Sequence, residues 1–257
     1  EDKDMKKIFK TDKTKDHIVF EQYLSRGLNI LYLAVVVLQI VSIYLAGRSY
    51  LGEALEPYIP LGFIVQQIDE YMLVLLMGIF FANCYLSEMS FRRLALGIVV
   101  IILLQYASMR FDVTDISWVL WLILCYPNEL KIRSVLNCVW RANAILIMLV
   151  VFLSLAGLAQ NNIQFQHSAV RQSLGFCSPN ALGVSITMTL VVWCITKVDT
   201  WRIRNFIFGI SILVGMYAIC NSRAALTYGA SFLVVMTLRM LLKNRNLNYK
   251  AFDKVIG

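Results

Sequence analysis

A chain of 257 residues that is 59% hydrophobic and only 16% charged has too few polar side chains for the surface of a water-soluble fold. The formal net charge of +8 would fit nucleic-acid binding if the cations formed one face of a folded domain. Instead they lie in short stretches between apolar runs, as in membrane proteins, where such stretches set the topology. An integral membrane protein is therefore predicted, with no nucleic-acid partner.

Eight apolar runs contain no Asp, Glu, Lys or Arg, and most are long enough to cross the hydrocarbon as helices. Helices are predicted because backbone amides in lipid must be satisfied within their own segment, and no alternating barrel-strand pattern is present. The predicted fold class is all-α, a polytopic membrane protein with about eight transmembrane helices. The runs are 28–47, 71–87, 94–109, 116–126, 142–160, 181–196, 205–221 and 224–238.

The run 116–126 is shorter than a standard span, so the charge distribution is used to test it. If it crosses, 20 of the 24 Lys and Arg residues are cytoplasmic, and the outer ones are Arg48, Arg110, Arg171 and Arg223. If it does not cross, the split becomes 11 inside and 13 outside. The positive-inside rule favours the first arrangement, which predicts eight spans with both termini in the cytoplasm.

The domain organisation follows from this topology. The cytoplasmic segment 1–27 is charged and lacks an apolar h-region, so it is not a cleavable signal peptide. One membrane domain, 28–242, follows and includes a long outer loop at 161–180. The segment 243–257 is predicted to be cytoplasmic, and its last residues carry no terminal feature, so we expect the chain to be incomplete.

The composition of the spans argues against several kinds of site. They contain no Asp, Glu or His of the kind that secondary transporters use as ion and proton sites. Their milder polar residues are interpreted as interhelical hydrogen-bonding groups, as for Asn83, Gln105, Thr187 and Thr189. The six cysteines show no metal-binding spacing, so no metal site and no cofactor is predicted.

The longer outer segment, from Gln160 to Gly183, combines His167 and Arg171 with a Ser-Pro-Asn turn directly before the sixth span. Asn180 is predicted to be the N-cap of that span, with the positive end of the helix facing the outer medium. An anionic group could dock there beside Arg171. An ordinary outer loop followed by a capped helix is an equally weighted alternative.

The shorter outer segment is the tight turn from Cys220 to Ala224. Almost no chain lies outside the membrane there, so Arg223 is predicted to sit at the rim of the bilayer. It either extends towards lipid headgroups or forms a second guanidinium aimed at the same anion as Arg171. The planar guanidinium suits bidentate contacts to phosphate.

Two adjacent stretches of the longer segment read Arg171-Gln172-Ser173-Leu174-Gly175-Phe176 and Ser178-Pro179-Asn180-Ala181-Leu182-Gly183. They resemble the Arg-x-Ser-Leu-Gly-Phe-x-x-Pro-Asn-x-x-Gly stretch of bacterial polysaccharide polymerases, the Wzy-type enzymes of the O-antigen ligase and polymerase superfamily. Such proteins also tend to carry a Ser-Arg pair in an outer turn about two spans later. Ser222-Arg223 stands at that place, and the resemblance covers roughly Arg171 to Leu226.

The resemblance implies glycosyl transfer on the outer face of the bacterial cytoplasmic membrane. Saccharide repeats linked to undecaprenyl pyrophosphate would be joined without metal, and a lipid pyrophosphate released. Arg171 and Arg223 are the residues expected to stabilise the leaving pyrophosphate. Further substrate-binding residues are expected at His167, Ser178, Asn180 and Ser222. Family members often carry His or another polar residue where Ser178 stands, so His167 is the alternative source of a base.

The implied partners are the lipid-linked oligosaccharide, membrane lipid, and the chain-length regulator and flippase of the same pathway. Members of the family are usually longer, with further spans and another outer loop carrying catalytic residues, so we expect this chain to be C-terminally truncated and inactive on its own. One alternative is an O-antigen ligase, which passes the finished glycan to another acceptor. The other is a flippase or exporter of lipid-linked sugars, which the apolar spans disfavour.

Overall fold

The computed structural model describes residues 15–56, 61–86, 130–166 and 169–244, together with a few positions between 99 and 127. The chain is mostly helical, and five helices in these ranges are long and apolar enough to cross a membrane. The predicted class of helical membrane protein is therefore confirmed. The five candidate spans are Val19–Ile43, Ile132–Leu155, Pro179–Thr196, Ile203–Cys220 and Arg223–Leu242.

The helices are numbered here in chain order within the described residues. Helix α1 continues into a π-helical turn, Tyr44–Arg48, and a 3-10 turn, Val198–Thr200, precedes α6. Two short strands lie between α4 and α5. The bounds are α1 Lys15–Ile43, α2 Leu51–Leu55, α3 Leu61–Leu86, α4 Ile132–Leu155, β1 Ile163–Gln166, β2 Ala169–Gln172, α5 Pro179–Thr196, α6 Ile203–Cys220 and α7 Arg223–Asn244.

The last three predicted spans agree closely with α5, α6 and α7. The predicted fifth span, 142–160, is shifted, because α4 begins at Ile132 and ends at Leu155. Its first turns accommodate Arg133 and Arg141, both exposed, so a charge-free run underestimates the helix. Predicted spans 94–109 and 116–126 lie almost wholly outside the described residues, and the total of eight stays a prediction.

The chain divides into two compact units, residues 1–36 with 70–131 and residues 37–69 with 132–257. In the first unit, the Asn83 side chain donates to the carbonyl of Cys125 at 2.9 Å. The Tyr32 hydroxyl donates to the carbonyl of Leu122 at 2.8 Å. Asn83 thus bonds to a residue far away in the sequence, but Cys125 lies in a turn, so this bond does not confirm the predicted contact between two helices.

In the second unit, α5 packs against α4, α6 and α7. Its Thr187 hydroxyl donates to the carbonyl of Ala225 on α7 at 3.2 Å, which confirms an interhelical role for this residue. Thr189 instead donates to the carbonyl of Ser185 in its own helix, so the interhelical interpretation is wrong there. Small residues at the contact, such as Gly183 and Ala225, let the two helices approach closely, as is usual in membrane bundles.

The predicted outer loop 161–180 contains a β-hairpin that sequence reasoning did not find. Strands β1 and β2 are antiparallel, with Phe165 opposite Val170 and Gln164 opposite Arg171. Strand β1 alternates β-branched or aromatic residues with glutamine, a pattern that favours extended backbone. The hairpin matters for function because it carries Arg171.

Candidate functional site: an arginine-lined cleft

Arg171 is held at the end of the bundle by contacts to two helices. It is buried, with 8% of its surface exposed. Its Nε donates to the carbonyl of Cys220, the last residue of α6, at 2.8 Å. Its Nη2 donates to the side-chain oxygen of Asn180, in the first turn of α5, at 2.5 Å. The hairpin therefore places the guanidinium where α5 begins and α6 ends.

The N-terminus of α5 is capped by Ser178, so the predicted Asn180 cap is wrong. Ser178 has extended backbone angles, and its hydroxyl oxygen accepts from the amide of Ala181 at 3.1 Å. Pro179 follows as the first helical residue, where its missing N–H costs nothing. Because the Ser178 hydroxyl caps the helix, the side-chain oxygen of Asn180 is available to accept from Arg171.

Arg223 begins α7 immediately after a two-residue turn. Asn221 ends α6 in the left-handed conformation, with φ of 46°, which asparagine tolerates better than most residues. Ser222 is buried, and the next residue is the exposed Arg223. The short turn leaves Arg223 at the level of the helix ends, and its place at the rim of the bilayer stays a prediction.

Close packing of α5 against this turn brings the two arginines to one place. A Cβ added at Gly183 would lie 2.9 Å from the Ser222 Cβ and 3.3 Å from the Ala225 Cβ. Only glycine allows this approach without movement of the backbone on one side. The glycine near the end of the motif therefore sets the distance between α5 and the turn that carries Arg223.

These elements enclose a cleft of about 520 Å³. Asn180 and Val184 contribute one wall from α5, and the α6–α7 turn contributes the other. None of the described residues that line it is acidic. The lining residues are Arg171, Asn180, Val184, Asn221, Ser222, Arg223 and Ala224.

Four positive features of the cleft favour an anion. Two guanidinium groups line it, and α5 and α7 both begin there. The C-terminus of α6, which carries partial negative charge, meets Arg171 beside them. Helix N-termini carry partial positive charge and unsatisfied N–H groups. Such a constellation suits phosphate oxygens, which accept several charge-assisted hydrogen bonds at once.

The motif residues after Arg171 explain how the hairpin is fixed. Ser173 is fully buried, and its hydroxyl accepts from the amide of Asn162 at 2.9 Å. Gly175 has a φ of 84°, and a Cβ there would lie 2.9 Å from the carbonyl oxygen of Val150. Phe176 is fully buried and meets the ring of Tyr44 edge-on at 5.9 Å. Most of the motif thus builds the support on which Arg171 is placed.

A segment far away in the sequence completes this support. The amide of Tyr50 donates to the carbonyl of Gly175 at 2.8 Å. The Asn162 side chain donates to the hydroxyl of Tyr50 at 2.6 Å. Ser49 and Phe176 form an isolated antiparallel bridge. The segment directly after the first predicted span therefore braces the base of the hairpin.

The structure brings together four of the six predicted site residues: Arg171, Asn180, Ser222 and Arg223 all line the cleft. Ser178 does not line it, because its side chain is used as the cap of α5. His167 lies outside the described residues. Sequence reasoning missed Asn221 in the lining and the Cys220 carbonyl as an acceptor. An asparagine directly after an apolar run was the signal for a left-handed helix end at Asn221.

In the described part of the chain, no group of three His, Cys, Asp or Glu side chains has the geometry of a metal site. Comparisons with protein-family models, curated proteins and solved structures return no match for this chain. Functional interpretation consequently depends on the geometry of the cleft and on the motif resemblance.

Proposed function

We propose that this chain is a membrane glycosyltransferase of the polysaccharide-polymerase kind. It joins oligosaccharide repeats carried on a polyprenyl pyrophosphate, at the outer face of a bacterial cytoplasmic membrane. The observation that carries the proposal is the convergence of Arg171 and Arg223 on one cleft lined by no described acidic residue. The proposal includes eight spans with both termini cytoplasmic.

The positions of the arginines suit the leaving group of this reaction. When the glycosidic bond to the donor pyrophosphate breaks, negative charge develops on the departing oxygen. Fixed guanidinium groups stabilise that charge more in the transition state than in the ground state, and this difference accelerates the reaction. Arg171 is already oriented by two helices, so little reorganisation is needed when charge develops.

The surface of α5 below the cleft is apolar and suits a ligand with an apolar tail. Asn180 lines the cleft, and Val184 and Met188 follow it at four-residue intervals on the same helix face. Val184 is 41% exposed and Met188 is 61% exposed. A lipid-linked pyrophosphate could place its head between the arginines and its chain along this apolar face.

The proposal is tested by replacing either arginine with alanine in the protein as its bacterium produces it. Polymer length on a gel is the readout, and we expect Arg171→Ala and Arg223→Ala each to lower the polymerisation rate by on the order of 100-fold or more. Lysine at either position should restore little, because an ammonium group lacks the guanidinium fork.

Arg48→Ala is the matched control. Arg48 is another exposed arginine on the predicted outer side, and it is absent from the lining of the cleft. We expect polymer of ordinary length from this variant. Long polymer from both cleft variants, at wild-type protein levels, would contradict the proposed site.

A further inference from the structure

Two hydrogen bonds that orient Arg171 have a property in common, because both acceptors are uncharged. One is the backbone carbonyl of Cys220 and the other is the side-chain amide oxygen of Asn180. A carboxylate at either place would orient the guanidinium equally well but would cancel its charge. These two contacts orient the side chain without bringing a negative charge to it.

We propose that Asn180 is a positioning residue: it holds Arg171 in the anion-binding orientation and must remain neutral to do so. This inference rests on the proposed function and changes the predicted role of Asn180, which was direct contact with substrate. Asn180 lies in the cleft lining, so a charge placed on it would act directly on a bound anion.

The local structure of α5 explains why Asn180 is available for this task. An asparagine at the cap position would have turned its oxygen towards its own helix. Ser178 occupies that position and accepts from Ala181, so the oxygen of Asn180 reaches Arg171 instead. The order Ser-Pro-Asn therefore separates helix capping from the positioning of the arginine.

Aspartate at position 180 makes the inference testable, since it preserves the shape of asparagine and adds a charge. The carboxylate should bind Arg171 more strongly and should also suit the positive end of α5. The same charge should repel an anion in the cleft. Asn180→Asp is therefore expected to raise the melting temperature while weakening anion binding, a combination that a purely structural role would not produce.

The experiment uses the full chain in lipid nanodiscs, with inorganic pyrophosphate as the probe. Affinity is measured by titration calorimetry, and thermal stability is measured on the same samples. We expect Asn180→Asp to weaken pyrophosphate binding on the order of tenfold or more. Asn180→Ala should weaken it less, because the guanidinium loses one contact but keeps its charge.

Two further variants separate the local contact from general effects. The gain in melting temperature from Asn180→Asp should shrink in an Arg171→Ala background. This double-mutant cycle separates the contact between residues 180 and 171 from the effect of the new charge on the N-terminus of α5. Gln160→Glu makes the same change in charge at an exposed residue of the same outer segment, outside both the cleft lining and the strand pair that carries Arg171. We expect it to weaken pyrophosphate binding less than roughly threefold, since the added charge lies outside the cleft lining.

Unchanged pyrophosphate affinity in Asn180→Asp would overturn the inference and leave the polymerase proposal standing. Equal losses in Asn180→Asp and Gln160→Glu would overturn it too, because long-range charge alone would then explain the effect. Pyrophosphate binding that survives Arg171→Ala, or that is absent from the wild-type chain, would overturn the anion site and the proposed function with it. If the binding experiments confirmed the positioning role of Asn180 but no polymer formed, only the polymerase proposal would be overturned.

Discussion

At the cleft end of the α4–α7 bundle, Arg171 is buried and bonded to two uncharged oxygens, whereas at the opposite end Arg133 is bonded to the carboxylate of Asp199. The side chains of Arg133 and Asp199 are 51% and 56% exposed, so water and salt screen their attraction. The pair adds no net charge to its surroundings.

The difference shows how an arginine can serve either structure or ligand binding. An exposed ion pair of this kind contributes about 0–1 kcal/mol to stability, and its two charges satisfy each other. An arginine fixed by neutral oxygens retains its attraction for a third group. The acceptor type therefore distinguishes Arg171 from Arg133. It does not separate all arginines by their end of the bundle, because Arg239, near Asp199, also donates to an uncharged carbonyl, that of Val198, at 2.8 Å.

The largest expected effect concerns the membrane faces on which the two ends lie. In a background without other cysteines, the exposed Cys177 should react with a membrane-impermeant maleimide in intact cells. A cysteine placed by Lys197→Cys, at the opposite end of α5, should react only after the membrane is permeabilised. The reverse pattern would invert the topology and contradict an outer cleft.

A smaller effect is expected from the packing of the helices. Gly183→Ala should cost roughly 1–3 kcal/mol, because the new methyl group meets the Ser222 Cβ, which cannot move without the turn. It should also weaken pyrophosphate binding by displacing Arg223. Thermal unfolding and calorimetry would measure the two effects.

Gly209→Ala is the control for this substitution, because its methyl group would meet the flexible end of Leu233 instead of a backbone turn. We expect a smaller loss of stability and unaltered pyrophosphate affinity. Equal behaviour of the two glycine variants would mean that close packing at Gly183 does not set the geometry of the cleft.

The smallest effect is expected from the ion pair. Asp199→Asn should lower stability by less than about 1 kcal/mol, since exposed pairs contribute little. Pyrophosphate affinity should not change, because the pair lies at the other end of the bundle. A tenfold loss of affinity in this variant would show that the two ends are coupled and would remove the contrast between them.

Sequence alone predicted the helical membrane class and the positions of α5, α6 and α7, because long apolar runs are strong signals in lipid. It also selected Arg171 and Arg223 as a pair. The start of α4 was misplaced because Arg133 and Arg141 lie in the helix itself, at its exposed end. A rule that counts only charge-free residues cannot recognise such turns.

The parts that could not be predicted depend on contacts between distant residues. Nothing in the local sequence indicates that Tyr50 would bond to Gly175 and Asn162. The exchange of roles between Ser178 and Asn180 was also hidden, since both residues are good helix caps. Only the position of Arg171 in the fold shows that Asn180 binds the guanidinium and that Ser178 caps the helix.

The lengths of α5 and α6 have a consequence for the depth of the cleft. Each has 18 residues, which corresponds to about 27 Å along the helix axis. This is slightly less than the ~30 Å of hydrocarbon in an ordinary bilayer. On the proposed topology, hydrophobic mismatch would draw the cleft towards the ester groups of the lipids or thin the bilayer around it. Bilayer thickness thereby becomes a determinant of how much water reaches the two guanidinium groups.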